Sequence, residues 1–286
     1  MKLQIKNPKE FISDLKANKE AFQLICTSQT KTIITESNEY YFTDSSGLRK
    51  SELNLIKQVK DFAIDNNIKT NCNKMKIQYI NKELNNGLYK KDIFEIDLNK
   101  AYWNLFYKNE FTSNEIYLKG LDESKIRKSA RLVALGNLAK QQIIFNYNGL
   151  IYDRPKFINS PTEKLFFKVS QQTDNIMNKL KLIAGKNYLF YWVDAIFFKS
   201  EQTKNEIAEY LNDIGMNFKL IPIKKLHSHG NLITVTDELH TFKVRTLKNG
   251  IWYNKGELKP RPFIFETFKK DDYSKVLNND FNIENK

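Results

Sequence analysis

Short apolar runs and amphipathic stretches alternate along the chain, and their order predicts its elements. Pro8 to Leu15 reads as a short helix, Phe22 to Cys26 and Thr32 to Thr35 as strands, and Asp44-Ser45-Ser46-Gly47 as a turn. Leu53, Ile56, Val59, Phe62 and Ala63 fall near helical spacing, so Ser51 to Ile64 is predicted to be an amphipathic helix. Asn85-Asn86-Gly87 punctuates the end of this region. A strand from Ile93 to Ile96 runs directly into Asp97 and a helix from Lys100 to Tyr107. Ser124 to Gln142 reads as a long basic helix, Ile143 to Phe145 as a strand and Asn148-Gly149 as a turn. Pro161 opens another helix to about Ala184, with Gly185 as its stop. Tyr188 to Val193, Asp194, and Ala195 to Lys199 read as two short strands meeting at a turn, or as one bent strand. A helix from Glu201 to Ile214 ends at Gly215. The remainder is mainly β, in segments Phe218 to Ile221, Leu232 to Val235, Phe242 to Arg245 and Ile251 to Tyr253. Strands and helices without strict alternation predict an α+β fold rather than a doubly wound parallel sheet.

Composition narrows the functional classes. The 286 residues suffice for one large domain or two small ones with a real core. The longest apolar stretch, Tyr188 to Phe198, is interrupted by Asp194 and is too short and polar to span a membrane. The start, Met1-Lys2-Leu3-Gln4-Ile5, lacks the apolar core of a signal peptide. The expectation is a cytoplasmic protein with no membrane partner. Cys26 and Cys72 make neither a disulfide framework nor a metal cluster. His227 and His229, one residue apart, have a spacing that can bind zinc from one strand face, although no cysteine lies nearby. No Gly-Lys-Ser or Gly-Lys-Thr occurs, which argues against an ATP-driven motor. Forty-six Lys and Arg against thirty-three Asp and Glu leave a net charge of +13. Such an excess favours polyanions through counterion release, so nucleic acid becomes the expected partner. A lysine-rich surface in an AT-rich genome would give the same composition.

Two acids stand at the edges of very apolar strands. One lies in Ile93-Phe94-Glu95-Ile96-Asp97-Leu98, the other in Tyr191-Trp192-Val193-Asp194-Ala195-Ile196. A carboxylate among such neighbours needs a partner, and a cation shared with a second acid is one solution. Paired carboxylates bridging two metal ions about 3.5–4 Å apart serve in-line phosphoryl transfer. Oxygen ligands point to magnesium, with manganese as a substitute. Each acid also has a plainer reading. Asp97 could cap the following helix, and Asp194 could be a turn residue.

Asp97 and Tyr102, five residues apart in Asp-Leu-Asn-Lys-Ala-Tyr, resemble the first palm motif of family B DNA polymerases. The resemblance implies that Asp97 ligates both metals with help from the Leu98 carbonyl, and that Tyr102 lies under the incoming sugar. A packed core aromatic is the alternative for Tyr102. Asp194 resembles the second acid of the family's third palm motif, and Ala195 to Phe198 resembles the strand that continues it. Trp192 stands where that motif has its first acid, and Ala195 where it has Ser. The segment from Arg131 to Lys140 loosely resembles the fingers helix, with Arg131 at the triphosphate-gripping position and Gly136 at the small residue. Arg127, four residues earlier, would then share a helical face with Arg131. A solvated basic face is the alternative there. Lys128, Lys140 and Lys243 are candidate nucleic-acid contacts.

The resemblance covers about Ile93 to Lys199. It implies an antiparallel palm-like sheet backed by helices, with short helical fingers. The expected organisation is an N-terminal α+β subdomain (1–90), a palm with a minimal fingers helix (91–200) and a mainly β thumb-like or palm-completing region (201–286). The expected activity is template-dependent DNA synthesis on a primer-template from deoxynucleotides. No proofreading nuclease is expected, and the small size resembles viral or mobile-element members. A non-catalytic nucleic-acid-binding protein with a degenerate palm and a primase-like nucleotidyltransferase are the alternatives.

Overall fold

The computed structural model describes residues 2–27, 30–43, 47–72, 80–230, 232–238, 241–245 and 253–254. The fold is α+β, and the chain divides into two compact units that interleave along the sequence. Among the described residues the first unit takes the chain up to Asn71 and from Thr112 to Phe166. The second takes Cys72 to Phe111 and Phe167 onward. The basic helix expected as fingers therefore groups with the N-terminal segment, not with the strands that carry the two acids.

The first unit opens with β1 (Lys2–Gln4), α1 (Pro8–Ala17), β2 (Phe22–Cys26), β3 (Thr30–Ile34), β4 (Glu39–Thr43) and α2 (Lys50–Asp65). Asn7 caps α1 by accepting from the backbone N–H groups of Lys9 and Glu10, and Pro8 supplies the preset first-turn φ. In the second unit, β5 (Ile80–Lys82), β6 (Gly87–Tyr89), β7 (Ile93–Leu98) and α3 (Ala101–Lys108) follow. The chain then returns to the first unit through α4 (Asn114–Leu121), α5 (Lys128–Leu138), β8 (Gln142–Tyr147) and β9 (Lys156–Ile158). The first unit's sheet runs β1-β4-β3-β2-β8-β9, antiparallel except for the β1–β4 pair. Ile12 and Leu15 of α1 pack with Phe22, Leu24, Ile33 and Phe145 of this sheet.

α6 (Glu163–Ala184) runs from one unit into the other. β10 (Tyr188–Trp192), β11 (Ala195–Lys199), α7 (Glu201–Asp213), β12 (Phe218–Ile223), β13 (Lys225–His229), β14 (Leu232–Thr236), β15 (Thr241–Arg245) and β16 (Tyr253–Asn254) complete the second unit. Its two sheets have the orders β12-β7-β11-β10-β5 and β16-β15-β14-β13-β6, antiparallel throughout. Strand alternation gives the first of these sheets two different faces. One carries Ile93, Phe190, Phe197 and Ile223, which pack with Leu226, Ile233 and Val235 of the other sheet. On the opposite face the Tyr191 hydroxyl donates to Asp174 of α6, and Lys204 of α7 lies over the Phe94 ring.

Several expectations change. The predicted helix from Ser124 to Gln142 is shortened to α5, because residues 122–127 form a turn in which Asp122 Oδ1 accepts from Ser124. Helix α4 was not foreseen, nor were the strands β1, β4, β5, β6, β9 and β13. The segment from Tyr188 to Lys199 is two strands around a turn rather than one bent strand. The expected Asp44-Ser45-Ser46-Gly47 turn lies, apart from Gly47, outside the described residues. So do Ile251 and Trp252 of the last predicted strand.

Candidate functional site

β7 is central in its sheet, with β11 on one side and β12 on the other. Period two places Ile93, Glu95 and Asp97 on one face and Phe94, Ile96 and Leu98 on the other. Ala195 and Lys219 sit opposite Asp97, while Phe197 and Ile221 sit opposite Glu95. The acid face is thus apolar at Glu95 and opens at Asp97, where the exposed Lys219 is the cross-strand neighbour.

The second acid arrives by a tight reversal. Trp192 pairs with Ala195, leaving Val193 and Asp194 as a two-residue turn. Val193 takes φ +57°, a conformation that costs a β-branched residue energy and that this turn imposes. The Leu98 N–H donates to the Asp194 carbonyl at 2.8 Å. That bond and the Asp97–Ala195 pairing fix the turn beside the end of β7. The two acids, remote in sequence, are brought together.

Helix capping does not account for Asp97. Lys100 is the N-cap of α3, in the left-handed conformation at φ +56° and without a side-chain capping bond. The junction is held instead by the Asn99 N–H bond to the Asn217 carbonyl and by Asn104, whose amide donates to the Asn99 carbonyl. Tyr102 falls in the first turn of α3 and is half-buried, unlike the fully packed Trp103 and Phe106 beside it.

Two further acids were missed in the sequence. Glu95 is only 9% exposed. Burial pushes its carboxyl up to about 7, and the negative charges of Asp97, Asp237 and Asp194 push in the same direction. A signal for Glu95 existed, since an acid two residues before Asp97 in a strand must share its face. Asp237 carried none, because it is brought there by the pairing of β13 with β14, after which it follows Thr236. The donor chemistry of these four carboxylates suits a hard divalent cation. Among the described residues, however, no three His, Cys, Asp or Glu side chains converge as a closed ligand set.

Apart from Lys243 in the second unit, the candidate basic contacts lie in the first unit, where the two arginines are engaged. Arg127 is the N-cap of α5 and extended, so it shares no helical face with Arg131. Its Nε and Nη2 grip the carboxylate of Glu52, at 2.7 Å and 2.5 Å. The backbone N–H groups of Arg49 and Arg127 complete the set, holding the buried Glu52 carboxyl down at about 2. Arg131 is 4% exposed, and its Nη1 donates to the Gly120 carbonyl at 2.9 Å. Lys128 and Gly136 are exposed on α5. Lys140 lies beyond the helix, half-buried, and burial together with nearby Lys60 pushes its ammonium down to about 8. Lys243 pairs with Thr234 on β15, and its side chain lies outside the described residues.

No described helix is long and apolar enough to cross a membrane. Compared with protein-family models and with curated proteins, the chain matches none.

Proposed function

We propose that the chain is a template-dependent DNA polymerase working by two-metal nucleotidyl transfer, with Asp97 and Asp194 as its metal-holding carboxylates. The observation that supports this reading is the clamp between the end of β7 and the β10–β11 turn, which ties the Asp194 backbone to the end of the strand that carries Asp97. Burial is the main reason the Glu95 carboxyl is raised to about 7, and the negative charges of Asp97, Asp237 and Asp194, which divalent cations would offset, add to it.

Magnesium or manganese held there would activate a primer hydroxyl and offset the charge of the leaving pyrophosphate. The chain's own contribution is positional. Asp97 sits on a strand paired on both sides, and Asp194 sits in a turn tied to that strand, so the backbone that carries each carboxylate is held in place. Tyr102 would lie beneath the incoming nucleotide. Lys219, opposite Asp97, adds a cation at the open rim of the acid face.

Purified protein, a primed DNA template, magnesium and labelled deoxynucleotides test the proposal. Template-dependent extension that disappears in Asp97→Ala and in Asp194→Ala supports it. Salt-sensitive DNA binding with no incorporation, in magnesium or manganese, overturns it. That outcome would leave a binding protein with a degenerate palm, which Trp192 at the place of an acid favours. Synthesis that needs no primer would identify a primase-like enzyme instead.

A further inference from the structure

β13 turns Leu226 and Ser228 inward and exposes Lys225, His227 and His229. A rise of about 3.3 Å per residue separates same-face neighbours by about 7 Å. The imidazoles of His227 and His229 stand side by side, with ring centroids 6.4 Å apart and planes 27° from parallel. Thr234 and Leu88 flank His227 across the neighbouring strands, and Leu232 flanks His229, so no cross-strand neighbour brings a competing charge. β13 pairs with β14 from Lys225 to His229 and with β6 from Leu226 to Ser228, which holds the backbone on both sides under His227 and on one side under His229.

We infer that His227 and His229 form a two-point chelate for a borderline transition-metal ion such as Zn2+ or Ni2+, a chemistry distinct from that of the carboxylates. With nitrogen–metal bonds of about 2.0–2.1 Å, two imidazoles at a tetrahedral angle have centroids about 5.2 Å apart. The observed separation exceeds this by about 1 Å, which side-chain torsions of two exposed histidines can close without moving the strand. Because the backbone is held by strand pairing, the ordering that opposes closure is confined to the two side chains. Two protein ligands leave the remaining positions to water, an open site accessible to a phosphate or carboxylate oxygen.

Calorimetric titration of the full chain with zinc chloride, repeated with nickel chloride, tests the inference. With magnesium in excess to occupy the carboxylates, one zinc or nickel ion per chain is expected. Its affinity should fall about a hundredfold in His227→Gln and equally in His229→Gln, since each variant removes one arm of the chelate. Both residues are exposed, so the variants should melt with the wild-type protein, and thermal unfolding checks this. Asp97→Ala should bind the ion as the wild type does. Binding unchanged in either histidine variant overturns the inference, as does absence of binding in the wild type. Binding lost only in Asp97→Ala overturns it too, while leaving the polymerase proposal standing.

Discussion

Replacing Glu95 by Gln should stabilise the protein at about pH 8 and leave its stability nearly unchanged at about pH 4. The wild-type carboxyl keeps its proton up to about 7 when folded, against 4.5 for an ordinary glutamate. Between these values the folded state binds more protons than the unfolded state, so stability falls as pH rises through the window. Above both values the full cost is about 3 kcal/mol, an order-of-magnitude figure that assumes an unfolded chain without residual charge interactions. Glutamine keeps the shape and removes the charge, so Glu95→Gln should recover most of that amount only at the higher pH. Urea unfolding followed by tryptophan fluorescence, on both proteins at both pH values, measures the difference. Saturating magnesium should narrow the gap at the higher pH, because a bound cation favours the ionised wild-type carboxylate. A variant that is less stable at about pH 8, or that differs equally at both pH values, would refute the reasoning.

Other substitutions probe the scaffold. Arg127→Ala should lower the melting temperature much more than Lys128→Ala, since Arg127 holds the buried Glu52 and Lys128 is exposed. Equal melting temperatures would show that Arg127 is not structural. Glu52, held at about 2, contributes stability that is fully present above 4.5 and is lost as pH falls toward 2. Acid unfolding of Glu52→Gln should therefore show a shallower pH dependence across that range. Gly149→Ala should cost about 1–3 kcal/mol by urea unfolding. Gly149 has φ +95°, and an added Cβ would meet the Lys19 carbonyl oxygen at 2.7 Å. Val193→Gly relieves a left-handed β-branched residue but enlarges unfolded-state entropy, so stability should stay within about 1 kcal/mol of wild type.

The strands around the acids were legible because they are short and almost continuously apolar. Ile93 to Ile96 and Ala195 to Lys199 are pairs of runs whose partners could only be other strands. Elements with weaker patterns were missed. β6 has three residues, and β13 alternates lysine and histidine with Leu226 and Ser228, so its inward face is hardly apolar in sequence. The basic stretch around α5 was misread because charge spacing alone cannot reveal a buried partner. Glu52, in a helix far earlier in the chain, claims Arg127, and burial claims Arg131.

By itself the sequence determined the α+β class, the apolar strands carrying Asp97 and Asp194, and the shared face of Glu95 and Asp97. All of these follow from local periodicity. Only the tertiary structure decided which strands became neighbours. It set Lys219 opposite Asp97, brought Asp237 to the same group of acids and divided the chain into interleaved units. The reason is physical: register and burial are settled by long-range pairing, and a carboxyl's charge state depends on groups that no local pattern places beside it.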